Sequence, residues 1–335
     1  MTLEGVLGPN DHLEQADAMT VHVPDALCVT PDGRLLFGSG THVLALSAWG
    51  ATAGTFAAFD TTVTALCAGP SGEIAVGLEG GRLTVLDASG NPLGGWQVPS
   101  DSATSIVDCA FRGDELLVVD SGHRSSSELL ARATWDDEPH GKLFAVKASG
   151  EMRVLNAALH TPMGVCLDDR GFAQVSLLER ASIVDETGKV IRSGLPGYIG
   201  RARRAPGGYL ITCLARRDPL IEFLKTERGF VETMKTTIDV KHWIAPRITP
   251  EFSHEFPIEL GATRLFGEVK PWAPSFSYGL LIEADEHFLP TGSAQSRANG
   301  RRHAISDATV WNDDIIAVSR GSGEILRLAN RGVLS

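Results

Sequence analysis

The feature that most constrains this chain is an internal repeat. Placed beneath one another, DALCVTPDGRLLFGSGTHVLAL (25–46), TALCAGPSGEIAVGLEGGRLTVL (64–86) and MGVCLDDRGFAQVSLLERASIV (163–184) share one grammar: an apolar strand, a glycine-containing turn, and two further alternating strands. The turns PDG, PSG and DRG supply the tight-turn residues that hairpins need, and the flanking β-branched and aliphatic residues alternate with period two. Three more copies follow the same pattern at 105–122, 200–214 and 306–328, so six units begin near 25, 64, 105, 163, 200 and 306. The ordinary pitch is about 40 residues, the length of a four-stranded propeller blade. The sequence therefore predicts an all-β chain, a six-bladed β-propeller forming a single domain over 1–335.

Two intervals are too long for a plain blade. Residues 123–140 make a long loop inside the third unit, and about 225–275 interrupt the fifth with a segment that predicts a short helical insertion at roughly 227–246. Insertions of this size either cover a propeller mouth or decorate its periphery. Composition sets the remaining limits. A chain with 43% hydrophobic and 21% charged residues buries a sizeable core. A net charge of −11 without a basic stripe argues against nucleic acid as a partner and for a small molecule. No stretch approaches 18 consecutive apolar residues and the start carries no signal pattern, so the expectation is a cytoplasmic protein that does not engage a membrane. Oligomeric state is not legible. Five cysteines, at 28, 67, 109, 166 and 213, lack CxxC pairing and read as reduced thiols. Cys28, Cys67 and Cys166 hold the same repeat position, which suggests a small buried slot between blades.

Several stretches resemble the strictosidine synthase-like family, which is akin to the gluconolactonase and paraoxonase propellers. They are PDALCVTPDGRLLFGSG (24–40), WDDEPHGKLFAVKASGEMRVL (135–155), LPGYIGRARRAPGGYLITCLARRDPL (195–220) and DATVWNDDIIAVSRGSGEILRL (307–328). The resemblance implies a six-bladed fold, a ligand site on the channel axis, and chemistry from lactone or ester hydrolysis to amine–aldehyde condensation. Metal-dependent relatives hold calcium on the axis with oxygen donors. At the positions the resemblance assigns to those donors stand Asp25, Val107 and Asp108, Met163, and Gly200 with Arg201. A thioether and a guanidinium do not replace oxygen ligands, so the resemblance points to the metal-free branch, without a cofactor. There a closing-blade carboxylate, here Asp307, carries acid–base work.

Residues at the start of each innermost strand converge on a propeller axis, which nominates Asp25, Thr64, Asp108, Met163, Arg201 and Asp307. Three carboxylates around one guanidinium can shift one another's pKa values and serve acid–base catalysis, or they can form an axial ion-pair network that only satisfies buried charge. His303 and His123 are candidate general bases, and Trp135, Trp243 and Trp272 candidate walls of a substrate pocket. The glycine-rich GLEGGRL (77–83) sits in a blade turn rather than before a helix, and RARR (201–204) reads, beyond Arg201, as an offset to the acidic surface. No GxSxG elbow is present. These features fit a metal-independent small-molecule enzyme, a hydrolase or a lyase. The competing reading is a non-catalytic propeller that binds a metabolite or a protein.

Overall fold

Each repeat unit forms a four-stranded antiparallel sheet because its alternating apolar residues can be buried only against the neighbouring unit. The computed structural model describes residues 3–124, 128–249 and 277–328, together with the short backbone ribbon 264–265 and 268–269. Six such sheets succeed one another. Their innermost strands are Pro24–Val29, Val63–Ala68, Ile106–Arg112, Pro162–Leu167, Gly197–Ala205 and Ile305–Trp311. The glycines of the three repeat turns, Gly33, Gly72 and Gly171, have φ of +84°, +95° and +82°, the left-handed backbone those hairpins require.

The core lies between blades. At the seam of the last and first blades, Leu27, Leu35 and Phe37 meet Ile316, Val318 and Ile325, all essentially inaccessible. Burial of each such side chain contributes about 1.5–3 kcal/mol. The ring closes by exchange of ends: the N-terminal strand Asp17–Thr20 is the outermost strand of the sixth blade, paired with Glu324–Leu328. Arg302 fastens that closure, donating to the carbonyls of Leu13, Glu14 and Ala16 and pairing with Glu324 at 3.2 Å. Among the described residues no helix is long and apolar enough to cross a membrane.

All six innermost strands begin with a shift in register. The extra residues are Asp25 or Ala26, Thr64, Val107, Met163, Gly200 or Arg201, and Ser306, and the fifth blade shifts register a second time between Tyr198 and Ile199. A β-bulge leaves its extra residue out of the ladder, and its carbonyl is then free to turn aside. Here the bulges ring the axis.

The two insertions interrupt blades three and five between their second and third strands. In an antiparallel sheet that connection lies at the same end as the start of the first strand, so both insertions rise over the bulged end of the channel. The first contains a helix at Leu129–Trp135. The second contains two helices and a 3-10 turn, at Pro219–Leu224, Arg228–Thr237 and Val240–His242, rather than the single helix expected over 227–246. The unforeseen first helix starts at Asp218, whose side chain accepts from the Leu220 N–H, followed by Pro219. Trp135 knits the insertions together: its indole N–H donates to the Ile244 carbonyl at 2.7 Å, and its ring packs with Ile221, Leu224 and Met234. Gly321, on the closing blade, lies so near that a Cβ there would stand 2.4 Å from the Ile248 carbonyl oxygen. The lid reading of the insertions is thus the one the geometry supports.

Candidate functional site

The floor of the site is a buried guanidinium. Arg201, 3% exposed, donates to the bulge carbonyls of four blades: Asp25 at 3.1 Å, Thr64 at 2.7 Å, Val107 at 2.7 and 3.2 Å, and Ser306 at 3.1 Å. It also meets the Asp25 carboxylate at 3.3 Å. Thr212 fixes its backbone, accepting from the Arg201 N–H at 2.9 Å and donating to the Arg201 carbonyl at 3.0 Å. Carbonyls that the bulges remove from the ladder thereby find a donor, as buried polar groups must. Burial works against the Arg201 charge, but Asp25, Asp307 and Asp108 outweigh it and hold the guanidinium more firmly protonated than usual. A divalent cation does not fit this axis, because the guanidinium fills the ring of oxygens that would receive it. Among the described residues no three His, Cys, Asp or Glu side chains are grouped to hold a metal elsewhere.

One layer beneath, Arg203 bridges two carboxylates. It grips Asp108 with two bonds of 2.7 Å and Asp307 with bonds of 2.9 and 3.0 Å. Asp307 also accepts from the Leu27 and Ala308 N–H groups, and Asp108 from the Val165 N–H. The network ties blades one, three, four, five and six together at the axis. Burial pushes the Asp108 carboxyl above the usual range, opposed by Arg203 and Arg201. Around the same level the thiols of Cys28, Cys67 and Cys166 are held protonated by burial, with Cys166 pushed up to about 12.

These contacts revise several expectations. Asp108 and Asp307 are 0% exposed and their oxygens are committed to Arg203 and backbone N–H groups, so neither faces a cavity. The bulge shifts the axial position by one residue in blades three and six, bringing Val107 and Ser306 to the cavity and turning the carboxylates below it. His303 is equally inaccessible, with Nδ1 bonded to the Ser277 hydroxyl and Nε2 to the Arg297 carbonyl at 2.9 Å each. Its ring is buried against Tyr278 of the fifth blade and borders neither cavity at the channel mouth. Trp135 is 4% exposed and serves the joint between insertions, not a pocket wall. Trp272 lies outside the described residues.

What does converge is a stacked pair of cavities. The lower, about 30 Å³, rests on Arg201 and is bordered by Asp25, Thr64, Met163 and His123. It has room for a water molecule or two, since one needs roughly 10–15 Å³ by this measure. The upper, about 360 Å³, is roofed by the insertions with Leu130, Trp243 and Ile248 among its walls, and carries Lys241 and Arg247. Leu129, Leu214 and Arg320 border both, so the cavities adjoin. Arg320, which sequence reasoning missed, makes no ion pair among the described residues. Its signal was its place just after the second strand of a blade, at the bulged end. His123 bonds through Nε2 to Thr161 at 3.1 Å, with Asp136 3.9 Å away. Burial holds its imidazole below the ordinary 6.5, only partly offset by Asp136, so the ring is neutral at pH 7.

No family model matches this chain, and no curated protein matches it. Solved structures do. A protein assigned as a gluconolactonase superposes with a TM-score of 0.56 at 12% identity, covering 93% of this chain and 91% of its own. A gluconolactonase from Xanthomonas campestris superposes with a TM-score of 0.56 at 12% identity, covering 94% of this chain and 90% of its own. The fold is that of the gluconolactonase-like six-bladed β-propellers.

Proposed function

We propose that this chain is a metal-independent hydrolase of a small anionic carbonyl compound, a lactone or ester bearing a carboxylate, nearer in its chemistry to the strictosidine synthase-like propellers than to calcium-dependent ones. The observation that carries this reading is the pairing, across two adjoining cavities, of a neutral His123 with an Arg320 that has no ion-pair partner among the described residues. In an acidic chain, Arg320, Arg247 and Lys241 outnumber Glu128 among the charged residues lining the upper cavity, which gives it a local attraction for an anion. Its leucine, isoleucine and tryptophan walls suit an apolar body.

In this reading the substrate sits in the upper cavity and a water sits below it, beside His123. The imidazole takes a proton from that water as its oxygen adds to the carbonyl carbon. The carbon–oxygen bond to the leaving group then breaks, and the imidazolium returns the proton to the departing oxygen. Arg320 stabilises the negative charge that develops on the carbonyl oxygen. Asp108 and Asp307 take no part and hold the floor in place.

The test is turnover of a panel of carboxylate-bearing esters and lactones by protein kept in EDTA. His123→Gln is expected to lower kcat by about 10²–10⁴-fold, the usual contribution of a general base. Arg320→Gln is expected to lower kcat and raise KM. Turnover untouched by either change would overturn the reading. A second reading draws on the fully bonded floor: with Arg201 and Arg203 satisfied within the protein, the site also suits a binding protein for the same class of ligand. Saturable binding without turnover is its signature.

A further inference from the structure

A third cavity, of about 480 Å³, opens between blades four and five. It is bordered by the turns 168–172 and 185–189 of blade four and 285–289 of blade five. These turns join first to second or third to fourth strands, so the cavity lies at the end of the propeller opposite the bulges and the insertions. Gln174 lines it, 7% exposed, with an amide oxygen that is buried and accepts no hydrogen bond among the described residues. An acceptor left unmade in this way costs about 1–3 kcal/mol, which a donor brought by a ligand recovers. Gln174 is the cross-strand partner of both Cys166 and Asp185, and Cys166 packs with Tyr209 and Ile211 of blade five. Gln174 and Asp185 therefore stand side by side on the face of blade four that meets blade five.

Carboxylates outnumber cations in the lining: Asp168, Asp185, Glu186 and Glu286 against Arg170 and His287. Three of the four are matched, Asp168 by Arg170 at 3.7 Å, Glu186 by Arg112 at 2.7 Å and Glu286 by Arg204 at 3.7 Å. Asp185 differs: among the described residues it bonds only within its own turn, its Oδ1 accepting from the Thr187 and Lys189 N–H groups and the Thr187 hydroxyl. Phe172 and Ile191, 53% and 42% exposed, line the same groove, as do Tyr209 and Phe288, whose rings stack with centroids 4.0 Å apart. We propose that this groove is a second ligand site, separate from the mouth, for a small organic cation that carries N–H donors on a flat apolar body: an amidine, a guanidine or an amine. Its N–H groups bridge the Gln174 oxygen and the Asp185 carboxylate, and its body lies against Phe172 and Ile191, where a ring face also attracts positive charge. The mouth, lined by Arg320, Arg247 and Lys241, favours the opposite charge, so the two sites do not share a ligand.

The experiment is isothermal titration of benzamidinium into the wild type, Gln174→Leu and Asp185→Asn, with neutral benzamide as the matched control and a thermal melt of each protein without ligand. Benzamidinium is expected to saturate one site on the wild type with a Kd below about 1 mM, and benzamide to bind at least about tenfold more weakly. Each substitution is expected to weaken benzamidinium binding by about tenfold or more, the effect of losing a hydrogen bond to a charged group. Asp185→Asn keeps the acceptor that its turn uses. Gln174→Leu is expected to melt no lower than the wild type, because leucine occupies the site without an unpaired polar atom. Affinity lost with stability kept separates an amide held for a ligand from one held for the fold. Absence of saturable binding to the wild type, binding that either variant leaves intact, benzamide binding as tight as benzamidinium, or a Gln174→Leu that melts well below the wild type overturns the proposal.

Discussion

Arg203 offers the sharpest test of what holds this propeller closed. Replacing it with methionine keeps much of the apolar stem and deletes four charge-assisted bonds, two to Asp108 and two to Asp307. Removing one partner of a buried ion pair costs about 3–5 kcal/mol, because the other charge is left desolvated. Two carboxylates lose their partner here, which argues for the top of that range or above. Each keeps some compensation: Asp108 retains the Val165 N–H and Arg201 at 3.5 Å, and Asp307 retains the Leu27 and Ala308 N–H groups. The expected loss for Arg203→Met is therefore about 4 kcal/mol at pH 7.5. With an unfolding entropy near 0.7 kcal/mol per kelvin for a chain of this length, Tm falls by about 6 °C. The pH dependence has a definite sign. Burial already raises the Asp108 carboxyl, and losing Arg203 raises it further, so the folded variant binds a proton more tightly than its unfolded chain. Its deficit is greatest at neutral pH and narrows as pH falls through the raised value. Chemical denaturation at pH 7.5 and 5.5 measures both effects. The triple change Arg203→Met, Asp108→Asn, Asp307→Asn is expected to recover most of the loss, since it leaves no charge unpaired. A single variant within 1 kcal/mol of wild type, or a deficit that grows on acidification, would refute the argument.

Trp135→Ala is expected to loosen the joint between the insertions while leaving the blades intact, so that limited proteolysis or hydrogen exchange accelerates in 219–249 with a loss of global stability smaller than the roughly 3–5 kcal/mol that such a truncation costs in a rigid core. Burial lowers the pKa of both His303 and His123 below 6.5, so the unfolded chain binds more protons than the folded one as pH falls below 6.5, and stability declines there. His303→Gln is expected to flatten that decline in Tm between pH 7.5 and 5.5. The buried thiols of Cys28, Cys166 and Cys213 are expected to resist alkylation at pH 8 until the protein is denatured, because burial keeps them protonated.

The blades were legible because their signals are local. A PDG or DRG turn between alternating strands specifies a hairpin within about ten residues, and six such units in series leave few alternatives to a propeller. Elements that depend on distant partners were not legible. The strand Asp17–Thr20 has nothing in its own sequence that assigns it to a blade; its partner begins at Glu324, at the other end of the chain. The helix at Pro219–Leu224 did carry a signal, since Asp218 before Pro219 is an N-cap followed by a residue preset for the first helical position. That signal falls inside the stretch 195–220 that carries the family resemblance, which draws the reading toward blade rather than helix.

The axis shows how one residue of register decides a functional reading. Each innermost strand begins with a bulge, and in blades three and six the bulged residue is Val107 and Ser306, not Asp108 and Asp307. In a strand, a step of one residue carries a side chain to the other face. The nominated carboxylates thus leave the cavity and drop to the layer where Arg203 waits. That arginine had its own signal: Arg201 and Arg203 stand two apart on one strand, the spacing that points side chains to the same side. Read as a basic run offsetting an acidic surface, RARR concealed a stacked pair of axial cations. One closes the ring of bulge carbonyls and the other satisfies the carboxylates below. With both in place, catalysis by Asp307 requires breaking the closure of the propeller, whereas catalysis by His123 and Arg320 leaves it whole.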